Sequence, residues 1–271
     1  MNQKLRIGAL ISGSGTNLQA ILEACESGQI SGDVTFVGSD NPEASGLQRA
    51  SERKIPTFVV DYKAIIRKYR HHPAGFHTPD GVDIDRMISR QQLISDTADP
   101  AARMQFFYTR VAAESQLLSH MAARPFDLLV LAGFMRNLTP YFIDRVNIDP
   151  DHPRIMNIHP ALLPAFAGID GYGDTVRYGC KVGGCTVHFI DYGEDTGPII
   201  GQKAFAIKPE DTLETIRKKG LALEWQLYPA CIQLFAEGRL RVTETVQRFD
   251  NGTEYRRKIV RILPPHGAKS R

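Results

Sequence analysis

The sequence has little of what marks a disulfide-rich, membrane-spanning or nucleic-acid-binding protein. Its 271 residues include only four cysteines, which form no CxxC pair and have no histidine at the spacing of zinc ligands. We therefore expect free thiols, no metal site and a cytoplasmic location. No apolar run approaches the roughly 20 residues that a membrane-spanning helix needs. The formal net charge is only +3, which is too small to indicate a nucleic-acid partner, and a hydrophobic content of 42% is ordinary for a globular protein.

Short apolar runs alternate with helical patterns along much of the chain. Such an alternation is typical of an α/β fold, so we predict a Rossmann-like, doubly wound and mostly parallel sheet with helices on both faces. The predicted strands are the apolar runs at residues 5–11, 34–38, 57–60, 128–132, 155–158 and 186–190.

Two parts of the chain depart from this alternation. Residues 62–121 are longer than the crossover between the third and fourth strands requires, and we predict an insertion on the surface over about residues 65–100. Nearer the end, the Asp-Asn-Gly sequence at 250–252 is a good turn signal between two β-like runs, which predicts a C-terminal hairpin tail over about residues 240–271. We assign the whole chain, residues 1–271, to one domain.

Two helices carry clear signals. Residues 102–121 have enough length and periodicity to supply the crossover to the fourth strand. Residues 211–214, Asp-Thr-Leu-Glu, have the pattern of a capping box at the start of a second helix. Pro229 is expected to kink or break that second helix, because proline lacks a backbone N–H.

A glycine-rich turn, Ser-Gly-Ser-Gly-Thr-Asn at residues 12–17, follows the first predicted strand. Glycines let the backbone approach an anion, and the free amides of the following helix favour a phosphate there. The turn is not a Walker loop, because no Gly-Lys-Ser/Thr follows it. It is not a full dinucleotide fingerprint either, because Leu18 occupies the position of the third glycine. We predict a phosphate site, with a merely tight turn as the alternative.

A polar cluster lies at the end of the fifth predicted strand. Asn157 and His159 share one face of this strand by the two-residue period, and Pro160 ends the strand. Both side chains should therefore project at the carboxyl edge of the sheet, where open α/β sheets bind ligands. A catalytic role and a structural role for His159 are both open on this observation alone.

Three carboxylates, Asp191, Glu194 and Asp195, follow the sixth predicted strand. Asp195 lies in a loop with a glycine and a proline, which is a suitable place to hold a carboxylate against an imidazole. Spacing alone does not choose among the three. His188 alternates with apolar residues, so we interpret it as a hydrogen-bonded core histidine.

Five motifs together resemble the glycinamide ribonucleotide formyltransferase family. They occur in the family's order and span residues 5–240, apart from the long segment after Tyr62. The resemblance implies the formyltransferase fold, and the transfer of formyl from 10-formyltetrahydrofolate, as co-substrate, to the amine of glycinamide ribonucleotide in purine synthesis. The motifs are Ile-Ser-Gly-x-Gly-Thr-Asn-Leu-Gln-Ala, Leu-Ala-Gly-Phe-Met-Arg, Asn-Ile-His-Pro-x-Leu-Leu-Pro, Gly-Cys-Thr-Val-His-Phe and Asp-x-Gly-Pro.

The resemblance also implies roles for individual residues. His159 corresponds to the catalytic histidine, Asn157 to the asparagine beside it, and Asp195 to the carboxylate that orients the imidazole and favours its protonated form. The residues implied for ribonucleotide binding are Gly15, Thr16, Asn17 and Glu224. Those implied for folate binding are Met135, Arg136, Asn137, Leu138, Asn157 and Arg110, with Arg103 as the alternative to Arg110.

Other functions are weighed against this one. Formyltetrahydrofolate hydrolases use water as the acceptor, but that family carries a regulatory domain before its first strand, and here the first strand is predicted from Leu5. Methionyl-tRNA formyltransferases carry a sizeable C-terminal domain, whereas only 271 − 240 = 31 residues follow Leu240. A non-catalytic nucleotide-binding regulatory module is the alternative from another class.

The chain departs from the family's commonest pattern at residues 168–174 and in the insertion at 65–100. Both parts could contact the folate. The His, Arg and Asp content of the insertion favours a lid or the contact of a homodimer. We expect small-molecule substrates, and neither a nucleic-acid nor a membrane partner.

Overall fold

The computed structural model describes residues 4–76, 78–79, 81–149 and 151–265. The strands of its main sheet are β1 (Leu5–Ile11), β2 (Gly32–Ser39), β3 (Thr57–Val59), β4 (Leu128–Leu131), β5 (Ile155–His159), β6 (Val182–Phe189) and β7 (Ile199–Ala206). Their order across the sheet is β3-β2-β1-β4-β5-β6-β7. Strands β1 to β5 run parallel, while β6 and β7 are antiparallel to their neighbours. The predicted α/β, mostly parallel sheet is therefore confirmed.

The sixth and seventh strands differ from the prediction. β6 begins at Val182 rather than at residue 186, and β7 has no counterpart among the predicted strands. Gly183 and Gly184 weaken the β signal at the start of β6. From Gln202 onwards the residues of β7 alternate between exposed and half-buried, so its sequence has no continuous apolar run.

The helices are α1 (Thr16–Glu26), α2 (Gly46–Glu52), α3 (Tyr62–His71), α4 (Ile84–Ile88), α5 (Pro100–Ala122), α6 (Pro140–Val146), α7 (Gly171–Arg177) and α8 (Leu213–Ala236). α5 agrees closely with the predicted crossover helix at 102–121. In the described part of the chain, no helix combines the length and the apolar character that crossing a membrane requires.

Side chains of the strands alternate between two apolar layers. In β4, Leu128 and Val130 face the layer formed with α1 and α8, whereas Leu129 and Leu131 face the layer formed with α5 and α6. All four residues are buried, which explains why β4 reads as a continuous apolar run. Helices on both faces make the sheet doubly wound, as predicted.

α8 does not end at Pro229, so of the predicted kink or break the break does not occur. The helix continues to Ala236 with the proline inside it. Proline removes one helical hydrogen bond, but tertiary packing holds this turn. The neighbouring Tyr228 is fully buried, and its hydroxyl donates to the Met156 carbonyl at 2.7 Å.

The start of α8 carries a capping box, though not the predicted one. Thr212 is the N-cap residue, and its hydroxyl accepts from the Thr215 amide at 3.2 Å. The Thr215 hydroxyl accepts from the Thr212 amide at 2.9 Å. The box therefore begins one residue later than the predicted Asp211, whose carboxylate accepts from Lys219 instead.

The segment predicted as an insertion contains α3 and α4 and packs on the body of the protein. Ile84 and Met87 of α4 contact a cluster with Phe107 and Val111 of α5 and Tyr141 of α6. An apolar contact of this kind fixes the segment against two helices of the main layer. The boundaries of the insertion and the assignment of one domain stay predictions.

The C-terminal hairpin is present. β8 (Leu240–Arg248) pairs with β9 (Glu254–Ile262) in an antiparallel two-stranded sheet around the predicted turn. The hairpin prediction is thus confirmed for the paired strands. The last residues of the predicted tail, 266–271, lie outside the described residues.

Candidate active site

A cleft of about 590 Å³ lies at the carboxyl ends of β1, β4 and β5. This is the edge at which open α/β sheets bind ligands. Ten of the predicted site residues line the cleft, while Gly15 and Thr16 lie outside its lining. The ten are Asn17, Arg110, Met135, Arg136, Asn137, Leu138, Asn157, His159, Asp195 and Glu224.

His159 is the last residue of β5 and is almost fully buried. Its Nδ1 atom lies 3.1 Å from Oδ2 of Asp195, and its Nε2 atom donates to the Phe166 carbonyl at 2.7 Å. A neutral imidazole carries one N–H and would turn a lone pair toward one of these two acceptors, whereas the protonated ring donates to both. Both ring nitrogens of His159 therefore face hydrogen-bond acceptors.

Asp195 is held as a carboxylate in this site. Burial raises its pKa, but hydrogen bonding from His188, the charge of His159 and the amide of Gly168 outweigh that effect, so the pKa lies below its usual value. The Gly168 amide donates to Oδ2 at 2.9 Å. Asp195 also has a φ of 54°, a left-handed conformation that is uncommon for a residue with a side chain. An ionised Asp195 stabilises a positive charge on the imidazole beside it.

The two rival carboxylates point elsewhere. Asp191 accepts from the Gly193 amide at 3.1 Å and from the Thr196 hydroxyl at 2.6 Å, so it closes the turn of its own loop. Glu194 accepts from Asn137 Nδ2 at 3.1 Å across the cleft. Of the three carboxylates that spacing left open, only Asp195 meets His159 in the described residues.

His188 takes a larger part in the site than its sequence pattern indicates. It is fully buried, as expected of a core histidine, and its Nδ1 donates to the Phe189 carbonyl at 2.9 Å. Its Nε2 atom lies 3.3 Å from Asn157 Nδ2 and 3.5 Å from Asp195 Oδ1. The β5–β6 register places His188 opposite Asn157, and this pairing is not visible from spacing within either strand.

Glu224 of α8 forms a second polar centre in the lining of the cleft. It is buried, and each carboxylate oxygen has a donor. Asn17 Nδ2 donates to Oε2 at 2.7 Å, and the Tyr172 hydroxyl donates to Oε1 at 2.6 Å. Asn17 Oδ1 is buried and has no hydrogen-bond partner among the described residues, so it is an available acceptor.

Tyr172 was missed by the sequence reasoning, although it lies in the stretch at 168–174 that departs from the family pattern. Gly220 of α8 leaves room for it, because a Cβ atom there would lie 2.1 Å from atoms of the tyrosine ring. Burial and the negative charge of Glu224 raise the pKa of Tyr172 far above its usual value, so the hydroxyl keeps its proton. Tyr172 is thus a fixed donor to Glu224.

The glycine-rich turn leads into α1 through a glycine in a left-handed conformation. Gly15 is the N-cap residue of α1, with a φ of 67°, and no side chain caps the helix. A Cβ atom at Gly15 would lie 2.9 Å from the Cα atom of Gly46, so this position requires glycine on two counts. The first amides of α1 are therefore not occupied by a side-chain cap.

The folate side predicted from the resemblance is the segment after β4. Met135 is 57% exposed, and its amide donates to the Ser12 hydroxyl at 2.8 Å. Arg136 pairs with the buried Asp40 at 2.5 Å. The segment is therefore fixed by its polar contacts while an apolar side chain remains accessible at the mouth of the cleft.

Arg110 and Arg103, the two candidates for the folate-contacting arginine, lie in different places. Arg110 lines the cleft, with its guanidinium 5.2 Å from the Tyr62 ring centroid, and its Nε has no partner among the described residues. Burial lowers the pKa of Arg110 below its usual value. Arg103 pairs with the exposed Asp96 at 3.2 Å and, together with Arg110, lines a second cavity of about 260 Å³, but it is not among the residues that line the cleft. The geometry favours Arg110.

A buried acid that contacts the end of the segment after β4 also escaped the sequence reasoning. Glu114 of α5 is fully buried and accepts from the Thr139 amide at 2.8 Å and from the Thr139 hydroxyl at 2.5 Å. Burial raises its pKa to about 7 against the effect of these hydrogen bonds. Because Thr139 directly follows Leu138, Glu114 fixes the end of the segment that lines the cleft.

No group of three or more His, Cys, Asp or Glu side chains that could hold a metal ion occurs in the part of the chain that the structure describes. The four cysteines are free, and Cys185 and Cys231 are buried. Burial raises the pKa of the Cys231 thiol to about 12, which makes it a poor nucleophile.

The chain is similar to proteins of one known family. The family described as Formyl transferase matches residues 5–232. The chain is 33% identical to phosphoribosylglycinamide formyltransferase of Haemophilus influenzae, covering 90% of this chain and 93% of that protein. It is 30% identical to the Escherichia coli protein of the same name, covering 97% and 98%. Among solved structures, glycinamide ribonucleotide transformylase 1 from Symbiobacterium toebii matches with a TM-score of 0.68 and 36% identity, covering 96% and 95% of the two chains.

Proposed function

The chain belongs to the formyl transferase family, and from that premise we propose that it transfers the formyl group of 10-formyltetrahydrofolate to the amine of glycinamide ribonucleotide in de novo purine synthesis. The observation that carries the proposal is the His159–Asp195 pair, 3.1 Å apart at the end of β5. The same cleft is also lined by Glu224 and by the segment after β4.

The proposed reaction forms one bond and breaks another at the formyl carbon. The neutral amine of the ribonucleotide attacks this carbon and gives a tetrahedral intermediate with a negative oxygen. His159 as imidazolium and the Asn157 amide donate to that oxygen, since donors aimed at developing charge lower the barrier. The bond from carbon to N10 of the folate then breaks. The amine loses a proton and N10 gains one, which requires an acid–base group such as His159.

His159 Nε2 donates to the Phe166 carbonyl in the protein without substrates. In the proposed mechanism the oxygen of the tetrahedral intermediate replaces this carbonyl as the acceptor, while Nδ1 stays with Asp195. The exchange keeps both ring nitrogens hydrogen-bonded. The route needs no metal ion or covalent enzyme intermediate, because the formyl group is already attached to a leaving nitrogen.

The two substrates are proposed to occupy opposite ends of the cleft. We assign the ribonucleotide to Gly15, Thr16, Asn17 and Glu224, with its phosphate at the uncapped start of α1. We assign the folate to Met135, Arg136, Asn137, Leu138, Asn157 and Arg110. The unpartnered Nε of the buried Arg110 supports this, because folate carries carboxylates that an arginine can pair with. Binding both substrates side by side removes the entropy of their encounter.

The same proposal places the protein in the cytoplasm with small molecules as its substrates. A nucleic-acid or membrane partner is not expected from a net charge of +3 and the absence of a long apolar run in the sequence. A homodimer stays a prediction.

A formyl-transfer assay with purified protein tests the proposal. The protein is given 10-formyltetrahydrofolate with either glycinamide ribonucleotide or water as acceptor, and tetrahydrofolate and formylated ribonucleotide are measured. We expect turnover that depends on the ribonucleotide. Equal release of tetrahydrofolate without ribonucleotide would instead indicate the hydrolase. Tight nucleotide binding without any turnover would indicate the regulatory module.

A further inference from the structure

The segment that follows α4 contacts the loop that carries Asp195. The Gln92 amide donates to the Tyr192 carbonyl at 2.8 Å, and Gln92 forms an isolated parallel bridge with Gly193. Gln92 and Tyr192 are a hundred positions apart in the chain, so this backbone contact is a tertiary one. The segment after α4 thus makes a short strand-like contact with the loop that follows β6.

Side chains reinforce the backbone contact. Arg90 donates to both carboxylate oxygens of Asp144 in α6, at 2.7 and 3.2 Å. Its guanidinium also donates to the Tyr192 hydroxyl and lies 4.8 Å from the centroid of that ring. The Tyr192 hydroxyl donates to Asp144 at 2.5 Å, which closes the network. We call these four residues, Arg90, Gln92, Asp144 and Tyr192, the latch.

The segment that bears Arg90 and Gln92 is itself fixed. α4, just before it, is anchored by Ile84 and Met87 in the cluster with α5 and α6. Gln91 then closes the turn, because its side-chain oxygen accepts from the Leu93 amide at 2.6 Å and from the Ile94 amide at 2.8 Å. Because the segment with Arg90 and Gln92 is held in place, its contacts constrain the loop that carries Asp195.

The latched part of the loop directly precedes two residues of the site. Glu194 accepts from Asn137 on the folate side, and Asp195 lies against His159. Asp195 also has a left-handed φ, so its side-chain direction depends on the conformation of this short loop. A change of about 1 Å in the placement of a catalytic group can cost about a hundredfold in rate. The contact at Tyr192 and Gly193 is well placed to prevent such a change.

We propose that the segment after α4 is a positioning element of the active site, in which Arg90 and Gln92 hold the loop so that Asp195 meets His159 and Glu194 meets Asn137. The proposal rests on the proposed function. The proposal also predicts different effects on the two substrates, because the Asn17–Glu224 and Tyr172–Glu224 hydrogen bonds include none of the latch residues. The latch therefore affects the folate side and the chemical step, and leaves ribonucleotide binding unchanged.

The test compares Arg90→Ala with Arg86→Ala, a matched control in which an exposed arginine of α4 is removed without touching the loop. We expect Arg90→Ala to raise the KM for the folate about tenfold and to lower kcat several-fold, with the KM for the ribonucleotide changed by less than about twofold. Arg86→Ala should resemble the unaltered protein. Arg90→Lys keeps one charge but cannot form the bidentate pair, so its effect should be intermediate.

Hydrogen exchange gives a readout that does not depend on activity. In Arg90→Ala, the amides of residues 191–196 should exchange faster than in the unaltered protein, while those of α8 should not change. Faster exchange throughout the protein, or an equal rise in both KM values, would show that the effect is not confined to the loop and would overturn the proposal. Identical kinetics in Arg90→Ala and Arg86→Ala would also overturn it. If the unaltered protein transfers no formyl, the proposed function fails, while exchange in the loop still reports on the latch.

Discussion

Replacing Glu114 by glutamine should stabilise the protein at pH 8 more than at pH 5. Glu114 is fully buried, and burial raises the pKa of its carboxyl from 4.5 to about 7. The folded state therefore holds the proton of Glu114 more tightly than the unfolded chain does. The contribution of this group to stability is complete below pH 4.5 and is lost as the pH rises through 7.

The size of the effect follows from the difference between the two pKa values. The difference between a pKa of 4.5 and one of about 7 corresponds to about 3 kcal/mol between the protonation states. Part of this difference is already present at pH 5, so the gain from pH 5 to pH 8 should be about 2 to 3 kcal/mol in the unfolding free energy. Glutamine has the right shape for the site, because its oxygen can accept from the Thr139 amide and its NH₂ can donate to the Thr139 hydroxyl.

Urea unfolding followed by circular dichroism at pH 5, 6.5 and 8 measures this difference. Histidines titrate in the same range, but they are present in both proteins and cancel in the comparison. Glu43→Gln, at an exposed position, serves as the control and should show no such trend. If the stability difference between Glu114→Gln and the unaltered protein is the same at pH 5 and pH 8, Glu114 is not held with a raised pKa and the reasoning fails.

Three further substitutions test the roles proposed around the cleft. Asp195→Asn should lower kcat by about a hundredfold or more with little change in ribonucleotide binding, since the carboxylate acts mainly on the charge of His159 in the transition state. Steady-state kinetics would measure kcat, and calorimetric titration would measure ribonucleotide binding. Near-normal turnover in a folded protein would exclude that role. Tyr172→Phe removes one of the two donors to Glu224 and should raise the KM for the ribonucleotide about tenfold while sparing the folate, as expected for a hydrogen bond to a charged group. Asn17→Ala removes the other donor together with the unpartnered Oδ1 acceptor, and should raise the same KM at least as much; equal effects on both substrates would contradict the assignment of this side.

Local patterns in the sequence predict the five parallel strands, but they miss β7 and the first half of β6. Asn157 and His159 could be placed together because the two-residue period and the following proline act within a few residues. The choice of Asp195 among three carboxylates depended on the family resemblance, since the conformation of the loop decides which carboxylate turns inward. The structure shows Asp195 beside His159, while Asp191 closes its own turn.

Contacts between distant segments could not be predicted from spacing. Tyr172 reaches Glu224 because α7 packs beside α8 and because Gly220 leaves space for its ring. Neither condition can be predicted from a short stretch of sequence. The insertion presents the same difficulty. Its composition indicated a surface excursion, but the pairing of Gln92 with Tyr192 depends on where α4 packs.

The two ends of the cleft depend on different parts of the fold. The Glu224 centre joins the starts of α1 and α7 to the middle of α8, so it is fixed by helices that belong to one side of the protein. The opposite end joins the segment after β4 to a loop that is held from outside by the latch. His159 lies between them at the end of a central strand. A substitution at one end should therefore change the affinity for one substrate without moving the imidazole, whereas a change in the Asp195 loop alters both folate binding and the chemical step.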